Sequence, residues 1–347
     1  LDNDTTPRPG EDLAFDLVAF DTPPSPRFRP EVLDIPLTGC IGMSDLNADG
    51  TLELLMIGPD EVAVLRAAGE GQWEESRVAL PSRIGGTLMC DVADFNRDGH
   101  EDVVVFGHEN GHLLAGDGTG GLEPVPGALP DLPVAFPGDP LAQSPPELGG
   151  LVAADFDDDG WLDIYIARTK SGGARLFLED GCTIDADGGV LCGVDGIDYP
   201  GMPNLLLRNR RGTFELGEPP AAWGARQSQC VATYDIDRDG RLDILVCNDG
   251  GSTRAFLGDG AGGFRDGTES LGLLDSTHGM GVGVADFDGD GAPDLYVSDI
   301  GRPSAWRGSP AGGFAPAPLR WRLGSADAWA WGVETGDVDN DGDADLL

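Results

Sequence analysis

An all-β protein assembled from repeated four-stranded units is predicted by three features of the 347-residue sequence. Short acidic runs recur along it, six in all. Each run lies between apolar segments that alternate or are β-branched, a pattern that suits strands better than helices. The 54 glycines and 26 prolines punctuate the chain so often that few helix-length windows remain.

The acidic runs are "DLNADGTLE" from Asp45, "DFNRDGHED" from Asp94, "DFDDDGWLD" from Asp155, "DIDRDGRLD" from Asp235, "DFDGDGAPD" from Asp286 and "DVDNDGDAD" from Asp337. Their common form is D-x-[DN]-x-D-G-x-x-[DE], and successive starts are 49, 61, 80, 51 and 51 residues apart. An apolar run such as "LVAA" or "CVATY" precedes the loop, and a second such as "LDIYIA" or "LDILVC" follows it. A third, as in "NLLLRN" and "TRAFLGDG", leads through a Gly-rich turn into a fourth that opens on an aromatic, "GTFELG" or "GGFRDG". Four strands per unit in tandem predict the blades of a β-propeller. The units are expected at about residues 37–85, 86–146, 147–226 with an insertion at 179–203, 227–277, 278–328 and, incompletely, 329–347. Residues 28–36 resemble the fourth-strand segments and are expected to close the ring, and residues 1–27 to form a linker.

These motifs resemble FG-GAP (VCBS) repeats, the loop-bearing blades of integrin α-subunit heads and of many secreted bacterial proteins. The resemblance extends from about Leu37 to the end of the sequence. It implies a seven-bladed propeller in the full-length protein. The segment "CTIDADGGVLCGVDGIDYPGMPNLLLRNRRGTF" is also similar to the cartilage-acidic-protein-like (ASPIC/UnbV) branch.

The loop chemistry points to calcium. Oxygen donors at positions 1, 3, 5 and 9 plus the carbonyl of position 7 would surround one hard cation, and Gly at position 6 allows the sharp turn between them. The predicted donors are Asp45, Asn47, Asp49, Thr51 and Glu53; Asp94, Asn96, Asp98, His100 and Asp102; Asp155, Asp157, Asp159, Trp161 and Asp163; Asp235, Asp237, Asp239, Arg241 and Asp243; Asp286, Asp288, Asp290, Ala292 and Asp294; and Asp337, Asp339, Asp341, Asp343 and Asp345. The loops at Asp45 and Asp94 carry Asn at position 3 and are expected to bind less tightly. Magnesium demands a stricter octahedron, and the donor side chains offer no thiolate or imidazole for zinc. An EF-hand would need Glu at position 12, where five copies carry Met56, Val105, Ile166, Val246 and Val297. Six calcium ions would bring the formal charge from -39 to -27. Sites of this extracellular type are weak enough to be empty in the cytosol, which places the protein outside the cell or in the periplasm.

The 61 acidic against 22 basic residues argue against nucleic acid or anionic membrane as partner. No apolar run is long enough to span a bilayer. Cys182 and Cys192 bracket a Gly/Asp-rich insertion and are expected to form a disulfide. Cys40, Cys90, Cys230 and Cys247 read as small buried apolar residues, with a Cys230–Cys247 bridge as the alternative. No catalytic constellation is visible. Gln227, His278 and Trp329, each eight residues before a loop, are candidate ligand contacts at the rim of the central funnel. An adhesion or binding module for a protein or carbohydrate is the leading functional reading. An extracellular polysaccharide lyase and a scaffold for a further domain are the alternatives.

Overall fold

The computed structural model describes residues 39–69, 72–108, 110–133, 147–169, 182–184, 190–192, 202–217, 225–273, 276–299, 303–318, 331–337 and 342–346. Five successive stretches each fold into four antiparallel strands paired side by side, and the fourth and fifth of these four-stranded sheets are joined edge to edge where 249–252 pairs with 276–278. The first sheet comprises Cys40–Ser44, Glu53–Ile57, Glu61–Gly69 and Gln72–Ala79. The second comprises Met89–Ala93, Asp102–Phe106, Gly111–Gly116 and Leu122–Pro124. The third comprises Glu147–Ala154, Asp163–Thr169, Leu205–Asn209 and Phe214–Leu216. The fourth comprises Ser228–Tyr234, Asp243–Ser252, Arg254–Gly258 and Phe264–Asp266. The fifth comprises Ser276–Ala285, Asp294–Asp299, Ser304–Gly308 and Phe314–Pro316. A sixth begins with Thr335–Gly336 paired to Asp345–Leu346. This is the meander of a propeller blade, repeated.

Apolar layers fill the space between consecutive sheets, and the second strand of each sheet shows why the sequence demands them. Along Asp102–Phe106, Val103 and Val105 join a core with Leu55, Ile57, Val62 and Val64 of the first sheet. Val104 and Phe106 of the same strand point the other way, into a core with Ile164, Ile166, Leu205 and Leu207 of the third. Tyr165 and Ala167 meet Ile244 and Val246, and Leu245 and Cys247 meet Leu295 and Val297. A strand covered on both faces has to be apolar at every position, and so "VVVF" and "DILVC" run without polar alternation. The first strands of successive sheets lie against one another. Glycine makes that approach possible in the third sheet, where a Cβ on Gly149 would sit 1.9 Å from the Ser228 carbonyl oxygen. On the outer face of the first sheet Ile41 and Met43 are 64% and 67% exposed. The expected closing segment, 28–36, and the linker, 1–27, lie outside the described residues.

Cysteine use departs from the bland reading. Cys40 and Cys90, taken from the sequence as buried apolar residues, form a disulfide. The bond ties the first strand of the first sheet to that of the second, their Cα atoms 5.8 Å apart. Sequence could not show it, because only the stacking of neighbouring sheets brings residues 50 apart together. Cys230 and Cys247 face each other across one strand pair and are also bonded. In the insertion, Cys182–Ile184 pairs antiparallel with Val190–Cys192, with Cys182 opposite Cys192 in register.

Candidate metal centres

In every described sheet the acidic nonapeptide connects the first strand to the second, so all five occupy the same end of their sheets. Their backbone is set by two left-handed residues. Position 6 is glycine with φ between 85° and 95° in all six copies, Gly50, Gly99, Gly160, Gly240, Gly291 and Gly342. Position 4 is left-handed too, at Ala48, Arg97, Asp158, Arg238 and Gly289, with φ from 54° to 71°. A non-glycine residue there costs roughly 1–2 kcal/mol, and no residue preference in the sequence announced it.

Side-chain oxygens at positions 1, 3 and 5 offset that strain by accepting the amides of the turn. The Asp49 amide donates to Asp45 Oδ1 (3.0 Å) and Asn47 Oδ1 (2.9 Å), the Gly50 amide to Asp45 Oδ2 (2.8 Å) and the Thr51 amide to Asp49 Oδ1 (2.8 Å). The same web recurs around Asp94, Asn96 and Asp98 and around Asp286, Asp288 and Asp290. Most of it recurs around Asp155 and Asp159 and around Asp235, Asp237 and Asp239. At the sixth loop the Gly342 amide donates to Asp337 Oδ2, while Asp339 and Asp341 lie outside the described residues.

Three loops gather oxygen atoms closely enough for one cation. Single carboxylate oxygens from Asp155, Asp157 and Asp159 lie within 4.8 Å of one another, as do those from Asp235, Asp237 and Asp239 and from Asp286, Asp288 and Asp294. Asp157 Oδ1 and Asp235 Oδ1 are buried and have no hydrogen-bond partner in the protein. Two orphaned anionic oxygens inside all-oxygen donor sets fit a hard divalent cation, which accepts several such ligands at about 2.3–2.6 Å. Burial, and then the neighbouring Asp159 charge, push the Asp157 carboxyl above its ordinary range. Of the position-7 residues, Thr51, His100, Trp161, Arg241 and Ala292 each donate their amide to position 5. Asp343 is exposed.

Position 9 differs from the rest. Glu53, Asp102, Asp163, Asp243 and Asp294 are all buried, at 2% exposure or less. Each starts a second strand; Glu53, Asp102, Asp243 and Asp294 accept an amide of their own loop, and Asp163 accepts the Asn209 amide and the Arg208 guanidinium from the third strand. Asp102 Oδ2 accepts the Phe95 and Asn96 amides, and its Oδ1 accepts Gly116 from the third strand. Asp243 bridges Ile236 to Gly258, and Asp294 bridges Phe287 to Gly308. In Asp102, Asp243 and Asp294 both oxygens already accept backbone amides before any ion arrives, and of these three only Asp294 also belongs to an acidic triad, where its remaining lone pairs would serve the cation. Replacing Asp102 by Ala would strand three amides, and urea unfolding is expected to show a loss of about 3 kcal/mol or more. The loss should be the same in chelator as in calcium, whereas Asp159→Asn, within an acidic triad, should matter only when calcium is present.

Burial raises the position-9 carboxyls, Asp243 to about 6 and Asp102, Asp163 and Asp294 in the same direction. A carboxyl raised by folding stabilises the protein fully below its unfolded value and loses that contribution as pH climbs through the folded one. Without divalent metal, melting temperature is therefore expected to rise from pH 7 to pH 5, with a slope bounded by about 1.4 kcal/mol per pH unit for each group. Asp243→Asn should flatten the curve. A metal-free wild type that loses stability over that range would contradict it.

The funnel candidates converge in part. The His278 ring Nδ1 lies 2.9 Å from Asp249 Oδ1, and the His278 amide donates to Asp299 Oδ2. The Asp249 amide donates to the Gln227 carbonyl at 2.8 Å. Asp249, unmarked in the sequence, thus joins Gln227 to His278. Trp329 lies outside the described residues. Nearby in sequence, Trp331 is 60% exposed.

No curated protein sequence matches the chain. Among solved structures, a lectin of Agrocybe aegerita that recognises non-reducing terminal N-acetylglucosamine is similar at 17% identity and a TM-score of 0.52, over 88% of this chain and 73% of that one. BBS1N, solved in complex with ARL6DN, aligns at 11% identity and a TM-score of 0.44 over 80% of this chain and 67% of that one. At these identities the first likeness shows a shared fold and the second carries no argument. The FG-GAP-like repeat family matches at residues 45–105, 94–166, 235–297 and 288–347, which together cover more than half of the sequence. The chain belongs to the FG-GAP-like repeat family of β-propellers.

Proposed function

We propose that this protein is a calcium-stabilised β-propeller that works outside the cytosol as a binding module for a protein or a carbohydrate. The observation that carries the reading is the convergence of three acidic triads, two of them with an orphaned buried oxygen, at one end of the third, fourth and fifth sheets. Bound calcium would supply positive charge that lets the clustered carboxylates remain ionised side by side. Asp155, Asp157 and Asp159, Asp235, Asp237 and Asp239, and Asp286, Asp288 and Asp294 would hold it, with up to six ions if every loop is filled.

Two disulfides suit an oxidising compartment, and no helix among the described residues is long and apolar enough to cross a membrane. The secreted, cell-surface or periplasmic address rests on the disulfides and on the weakness expected of such sites. A lectin with the same fold supports the carbohydrate arm of the binding reading. Seven blades and closure by residues 28–36 belong to the same proposal.

Isothermal titration of the chelator-stripped protein with calcium tests the metal: three or more ions per chain are expected, and no heat at millimolar calcium would end the reading. A glycan array and a pull-down from extracellular protein, each run with calcium and with chelator, test the partner. Calcium-dependent retention on either supports a binding module, and release of cleaved sugar would favour an enzyme.

A further inference from the structure

A second pattern alternates from sheet to sheet. Continued one residue past the last pair of the second and third strands, the register sets position 9 across from Arg66 in the first sheet, Ala115 in the second, Arg208 in the third, Leu257 in the fourth and Arg307 in the fifth. Arg66 and Arg208 reach the buried carboxylates of Glu53 and Asp163, whereas Arg307 pairs with Asp288 and Asp290 of its loop. The sheet that follows each of the first two arginines carries the turn "GDGTGG" or "GDGAGG" between its third and fourth strands. The two features meet. Arg66 Nη2 donates to the Gly120 carbonyl, and Arg208 Nη2 to the Gly262 carbonyl.

The third loop shows how closely they are joined. Arg208 Nη1 donates to Asp163 Oδ2 at 2.6 Å and lies 3.8 Å from Asp157 Oδ2, a member of the acidic triad. Its side chain is only 11% exposed. The turn that receives it is shaped for the purpose, since Gly262 has φ 79° and a Cβ there would fall 2.2 Å from Arg208 Nη2. The Gly262 amide returns the contact by donating to the carbonyl of Phe156, position 2 of the same acidic loop, at 3.1 Å. Phe156 and Phe264 pack edge to face across the seam, 5.6 Å between centroids.

We propose that Arg208 is a positioning residue through which the occupancy of the third loop is transmitted to the next sheet. The proposal rests on the calcium reading. Without the ion, the guanidinium divides its charge between Asp157 and Asp163. A divalent ion among Asp155, Asp157 and Asp159 neutralises Asp157 and repels the guanidinium, concentrating it on Asp163 and the Gly262 carbonyl and so tightening the seam. Arg66, between Glu53 and Gly120, would do the same from the first loop to the second sheet.

The test is amide exchange of the 258–263 turn, followed by mass spectrometry on the whole chain in saturating calcium. Asp159→Asn, which leaves every ligand of the fourth loop in place, is expected to speed exchange in that turn by about tenfold, the weight of one charge-assisted hydrogen bond. In an Arg208→Met background, whose turn already exchanges faster, Asp159→Asn should add nothing. Calcium stoichiometry by titration accompanies each variant. A stoichiometry lowered by one with an unchanged turn would overturn the coupling and leave the calcium reading intact. Equal effects of Asp159→Asn in both backgrounds would overturn the role of Arg208. No binding to wild type would overturn both.

Discussion

Chelation of the calcium-loaded protein is expected to lower its melting temperature by about 10 °C, because three sites filled at a hundred times their dissociation constant contribute about 8 kcal/mol together. The source of the effect is local. Each loop forces carboxylates to within 4.8 Å of one another while its amides are already satisfied, so an empty loop stores repulsion that no solvent molecule removes fully. Differential scanning calorimetry with calcium and with excess chelator measures the shift. Asp159→Ala and Asp239→Ala should each remove a part of it. Two melts that coincide would mean that the loops hold their shape through hydrogen bonds alone.

Loss of the Cys40–Cys90 bond is the second large effect. A cross-link between residues 50 apart removes loop entropy worth about 4 kcal/mol from the unfolded chain. The double substitution Cys40→Ser with Cys90→Ser is expected to lower the unfolding free energy by about that amount in guanidinium titrations. The shorter Cys230–Cys247 link closes a loop of separation 17 and should matter less, about 3 kcal/mol. If the paired variants unfold at the wild-type midpoint, the bond adds nothing beyond the packing of Gly42 against Val92 beside it.

Much of the architecture is legible in the sequence itself, and the reason is redundancy. Six copies of one nonapeptide in register, each between apolar runs, leave little freedom in where strands begin, and the left-handed glycine at position 6 was visible as a residue type. What escaped was of two kinds. Some features depend on neighbours in space rather than in sequence: the Cys40–Cys90 bond, the Arg208 bridge to Gly262 and the meeting of Gln227 and His278 at Asp249. Others depend on how one residue type divides its work. All the acidic positions look alike as letters, yet Asp157 offers an orphaned oxygen while Asp102 is spent on three amides. Position 4 was hidden for a related reason, because Ala48, Arg97, Asp158 and Arg238 share no chemistry and are held left-handed only by the web around them.

The apolar layers between sheets also govern how damage spreads. Each interior sheet is a party wall, wetted on neither side, so its loss uncovers two hydrophobic rooms and weakens both tenants at once. A lesion in the third sheet should therefore be felt in the second and fourth before the first or fifth, in the manner of falling dominoes rather than of a single core giving way.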